Sequence, residues 1–132
     1  MTTSPWRAPR GAVVMAVVFA GSGTLHLVRP QIFEPLVPRG LPAPRALVFV
    51  SGAAELTCAA GLVTRRRWAP LTSTALLLAV WPGNWQMAVD VQRSRAHPVV
   101  KAAVWARVPL QLVMIRAVWS DRGGLRRARP AG

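Results

Sequence analysis

Acidic side chains are nearly missing from this chain. Of its 132 residues only Glu34, Glu55, Asp90 and Asp121 are acidic. There is one cysteine, no tyrosine, and a single lysine against sixteen arginines. A lone Cys58 excludes an internal disulfide and a CxxC redox pair, which leaves small-residue packing as its expected role. The two histidines are His26 and His97, the second in a loop just before Pro98. With no cluster of Cys, His and carboxylates beside them, neither haem ligation nor a metal centre is expected. A glycine-rich phosphate loop and a Ser-His-acid set are absent as well. The expectation is a protein without catalytic activity of its own and with no resident cofactor.

Charge of either sign is scarce and clumped. Charged residues make up 16% and apolar ones 52%, where soluble domains carry about a quarter charged. A soluble bundle spreads charge along one face of each helix; clumps between long apolar runs mark a membrane chain. Four runs stand out: 11–28, 46–64, 68–89 and 99–119, the last interrupted by Lys101, Arg107 and Arg116. Each approximates the roughly 17–25 residues a spanning helix needs. None alternates with period two, which argues against a β-barrel. The expected fold is therefore all-α, a bundle of four transmembrane helices at 11–119, with a tail at 1–10 and a basic tail at 120–132. Arg7 and Arg10 ahead of "VFAGSG" also resemble a signal peptide. The apolar run continues to Val28 and three more follow, so an uncleaved first helix is the better reading.

Orientation rests on the basic residues. With the N-terminus inside, the cytoplasmic side holds ten of them, including the Arg65-Arg66-Arg67 turn, against six outside. Both termini are expected in the cytoplasm, and the protein in the cell membrane as a multi-pass chain. A net charge of +13 would raise nucleic-acid binding in a soluble protein. Here arginine anchors at helix ends and anionic lipid account for it, and no nucleic acid is expected.

The outer loop at 29–45, "RPQIFEPLVPRGLPAPR", holds five prolines and cannot continue a helix. Ile32, Phe33, Leu36 and Val37 give it an apolar side. It is either a lid over a site or an interfacial loop packing the first two helices.

Glu55 is the residue that asks for an explanation. From Leu47 to Val63 it is the one charge, about nine residues below the outer end of its helix at about 1.5 Å each. A carboxylate at that depth costs about 2.5–3.5 kcal/mol on insertion scales and normally finds a partner. Arg107, at similar depth in the fourth helix, is the expected one. The pair is either glue between helices or part of a polar pocket with His26 and Asn84 at its mouth. Gln111 shares Arg107's face one turn deeper. His26, Glu55, Asn84, Arg107 and Gln111 thus form the expected intramembrane polar cluster. Ala75, Ala79 and Gly83 make a small-residue stripe that permits close backbone approach, and Pro82 should free a carbonyl near Leu78.

These stretches, "SGTLHLVRPQIFEPLVPRGLP", "VSGAAELTCAAGLV", "WPGNWQMA" and "RVPLQLVMI", resemble the DoxX-like family of small four-helix membrane proteins over positions 20–118. The matching pattern is His26, Pro38 with Pro42, Glu55, Pro82 with Asn84, and Arg107 with Pro109 and Gln111; Leu27 stands where the family usually has Phe. The resemblance implies an accessory or anchor subunit of a membrane redox assembly, with quinone association and a membrane oxidoreductase or a second copy as partner. It supplies no reaction. Two other readings stay open: a small-solute binding or carrier protein, and a purely structural membrane protein.

Overall fold

The computed structural model describes residues 10–119; the expected tail at 120–132 lies outside the described residues, as does that at 1–10 except for Arg10, which opens the first helix. The described chain is all-helical. It contains α1 (Arg10–Val28), α2 (Pro44–Val63), α3 (Ala69–Arg93) and α4 (Pro98–Trp119), with two short 3₁₀ turns, Pro30–Ile32 and Glu34–Leu36, between α1 and α2.

Proline sets most of the boundaries. Pro44, Pro70 and Pro98 lie in the first turns of α2, α3 and α4, where a missing N–H costs nothing because those donors have no intrahelical partner. Pro30 stops α1 from running on. α3 runs four residues beyond the expected end at Val89, to Arg93. Three helices, α1, α2 and α4, are long and apolar enough to cross a membrane. α3 is long enough but carries Pro82, Asn84, Gln86 and Asp90 in its second half. Valines and leucines such as Val17, Val50, Val63, Leu71 and Val113 face outward from the bundle, as expected where the surroundings are themselves apolar.

The helices pack as two pairs. α1 and α2 meet at Gly23 and Gly52, where a Cβ on Gly23 would lie 2.8 Å from the Gly52 carbonyl oxygen and one on Gly52 2.7 Å from the His26 Cβ. Only glycine at both positions permits that approach. α3 and α4 are joined by side chains that reach the partner backbone. Trp81 Nε1 donates to the Val108 carbonyl at 3.3 Å, and Gln111 Nε2 to the Leu77 carbonyl at 2.6 Å. At the end that carries the turn at 64–68 the pairs close on one core of Met15, Phe19, Cys58, Leu62, Leu77 and Val118. A second, smaller cluster of Ala88, Val104 and Val108 belongs to α3 and α4 alone. Toward that end the two pairs part, and the space between them is the site described next.

Candidate functional site: a lidded cavity between two helix pairs

The gap between the pairs is a cavity of about 550 Å³. Phe19 and Leu77, shared with the core, lie at its deep end, and Phe33, Leu36 and Val37 of the 29–45 loop also line it. Its walls are mostly apolar. All five residues of the expected polar cluster line it: His26 from α1, Glu55 from α2, Asn84 from α3, and Arg107 and Gln111 from α4.

They do not interact as expected. No ion pair joins Glu55 to Arg107. The cavity separates them, because Glu55 is carried by the α1/α2 pair and Arg107 by the α3/α4 pair. Glu55, 8% exposed, is held by its own pair instead. Ser22 Oγ donates to its Oε1 at 3.2 Å, and His26 Nδ1 stands 3.3 Å from its Oε2. That nitrogen donates to the Ser22 carbonyl at 2.7 Å. A carbonyl can only accept, so Nδ1 carries a proton and directs it at the backbone. Glu55 Oε2 is consequently buried without a hydrogen bond, and so is Ser51 Oγ one turn earlier on α2. The Gly23–Gly52 crossing creates this arrangement by bringing α1 within reach of Glu55.

On the facing wall, Asn84 Nδ2 donates to Gln111 Oε1 at 2.9 Å, and Gln111 passes the chain on to Leu77. The accepting carbonyl is one residue before Leu78, whose own helical partner Pro82 removes. Gln111 is buried, whereas Arg107 is exposed along α4 and has no hydrogen bond or ion pair among the described residues. A guanidinium in the middle of an apolar helix, lining a cavity and free of protein partners, is available to whatever occupies it.

The 29–45 loop covers the cavity and is fastened on both sides. Phe33 stacks on the His26 ring, centroids 3.7 Å apart. The Leu36 carbonyl packs on Gly83, where a Cβ would stand 2.9 Å from it. The Ala75–Ala79–Gly83 stripe thus admits the loop at Gly83 rather than a neighbouring helix, since Ala75 and Ala79 are exposed. Gln86 Nε2 donates to the Val37 carbonyl at 3.4 Å, and Arg39 pairs with Asp90 at 3.3 Å. Arg45 Nε reaches Glu34 at 2.8 Å.

The family described as domain of unknown function (DUF8561) matches residues 15–122, most of the chain. The chain belongs to that family. Comparison with curated proteins and with solved structures gives no match. The matched segment contains every cavity residue named above.

Three contributors stand outside the five expected cluster residues, although their helix faces or loop are legible in the sequence: Ser22, Ser51 and Phe33. Ser22 and Ser51 each precede a cluster residue by four positions, the spacing that puts side chains together on a helix face. Phe33 sits in a non-helical loop, so no periodicity could place its ring. Among the described residues no three His, Cys, Asp or Glu side chains gather as a metal site would require.

Proposed function

We propose that this protein is a DoxX-like multi-pass protein of the cell membrane that binds a small lipid-soluble molecule of the quinone class and serves a membrane oxidoreductase as an accessory subunit. In this reading all four helices span the bilayer with both termini cytoplasmic. α3, the least apolar, crosses with its polar residues turned to the cavity and the loop rather than to lipid. The arginine turn at 65–67 then lies in the cytoplasm and the 29–45 loop on the outer side.

One observation carries the reading: an apolar cavity of about 550 Å³ into which four helices bring polar groups. Ligand sites for small apolar molecules have this construction, a few placed polar groups in an otherwise apolar enclosure. Arg107 offers a donor to a ring oxygen, and the apolar walls suit an alkyl-substituted ring. The absence of a paired redox group is consistent with a subunit that holds the molecule for another protein.

The test is purification of the full chain from its native membrane in mild detergent, with mass spectrometry of co-eluting proteins and extracted small molecules. A stoichiometric quinone or oxidoreductase subunit, depleted in Arg107→Gln, supports the proposal. A protein that carries only bulk lipid and no partner overturns it and favours the carrier or structural reading.

A further inference from the structure

Two formally charged side chains line the cavity, Glu55 and Arg107, and they differ in what they offer an occupant. Glu55 accepts from Ser22 at one oxygen, and the other is enclosed beside His26. His26 commits Nδ1 to the Ser22 carbonyl and one ring face to Phe33. On the facing wall Asn84 and Gln111 bond to one another, and Gln111 to the Leu77 carbonyl. Arg107 is exposed, lines the same cavity, and has no hydrogen bond or ion pair among the described residues. The other two described acidic residues are taken at the loop end, Asp90 by Arg39 and Glu34 by Arg45. Every described carboxylate is therefore engaged or enclosed elsewhere, and none serves Arg107 as a counter-ion.

A guanidinium at this depth in an apolar helix is costly without an anion, and an anion that reaches it must suit apolar walls. An acid head on an alkyl chain meets both conditions. Leu110 and Met114 follow Arg107 at i+3 and i+7 and line the same cavity, the spacing of one helix face. A head on Arg107 thus lays its chain along α4, over about 10 Å of the helix axis, toward Phe19 and Leu77 at the deep end. We infer that the cavity takes an anionic amphiphile, an alkyl carboxylate or alkyl phosphate, with its acid group on Arg107 and its chain directed away from the 29–45 loop. The planar guanidinium presents parallel donors to either acid, a charge-assisted pair stronger than its bond to a neutral carbonyl. This inference shares with the proposed function the cavity as a ligand site and adds a second ligand class to it.

The full chain in nanodiscs of zwitterionic lipid is titrated calorimetrically with decanoate, decyl phosphate and the uncharged methyl decanoate, against protein-free discs. At least one acid is expected to bind about tenfold or more tighter than the ester, the usual worth of a hydrogen bond to a charged group. Whichever acid does so identifies the head group. Arg107→Gln removes the preference, Arg107→Lys retains part of it, and Arg66→Gln on the exposed turn leaves it intact. Equal binding of acids and ester overturns the inference. So does a preference that survives Arg107→Gln, which would place the acid on surface arginines. Should Arg107→Gln not fold, the wild-type preference at high salt decides, because a surface pair is screened away and one inside the cavity persists. A decyl-substituted benzoquinone titrated into the same discs separates the two readings. Quinone binding without acid preference leaves only the proposed function, and acid preference without quinone binding leaves only this inference. Binding of neither class overturns both.

Discussion

His26 Nδ1 and Glu55 Oε2 lie 3.3 Å apart, yet the proton on that nitrogen belongs to the Ser22 carbonyl 2.7 Å away. The most buried carboxylate among the described residues is therefore neighboured rather than fully bonded. It is held in place by the α1–α2 crossing and by Ser22, with Oε2 enclosed beside His26. That single relationship commits the carboxylate to one helix pair, and the consequences can be measured.

The crossing itself should be intolerant of bulk. Gly52→Ala places a methyl group 2.7 Å from the His26 Cβ, so the two helices must separate. A loss of about 1–3 kcal/mol is expected, read as earlier unfolding in detergent denaturation. Gly21→Ala, with nothing within 4 Å of the new Cβ, should unfold like the wild type or slightly later. Equal behaviour of the two variants would remove the crossing as the cause of the Glu55 arrangement.

Gln111 ties Asn84 and the Leu77 carbonyl to α4. Gln111→Leu should destabilise by about 1–3 kcal/mol because a buried carbonyl and an amide lose their partners. Adding Asn84→Leu should cost less than the sum of the two single changes, since both act on one network. Strict additivity in a double-mutant cycle would show that the two side chains are energetically separate.

Arg107 has no protein partner among the described residues, and the prediction for it runs the other way. Arg107→Gln should leave thermal stability unchanged or raise it, because a lone guanidinium in an apolar helix costs about 2.5–3.5 kcal/mol on insertion scales. The same variant should retain less extracted ligand. A large loss of stability would instead indicate that Arg107 is part of the packing.

The lid is fastened by an exposed pair, Arg39 and Asp90, whose side chains are 82% and 40% accessible. Such a pair contributes at most about 1 kcal/mol to stability. Asp90→Asn should therefore barely alter unfolding while speeding ligand exchange, and added salt should reproduce part of the effect in the wild type. Ligand release rates that ignore both changes would deny the loop a gating role.

Much of the architecture was legible in the residues because it depends on local rules. Apolar runs of sufficient length, prolines in first turns and a proline-rich break after Val28 follow from backbone geometry and from hydrophobic length alone. The membership of the polar cluster was legible for a related reason. A carboxylate, a guanidinium and amides among apolar residues are costly wherever they go, so they collect along the one cavity, and depth along each helix can be counted. Partner choice was not legible. Glu55 and Arg107 have opposite charges at similar depth, and charge and depth were all the sequence offered. Their pairing fails because Gly23 and Gly52 draw α1 onto α2, while Trp81 and Gln111 draw α4 onto α3. Each charged residue is committed to a different pair, with the cavity between. Which helices lie close is a property of side-chain fit across elements far apart in the chain, and only the tertiary structure decides it.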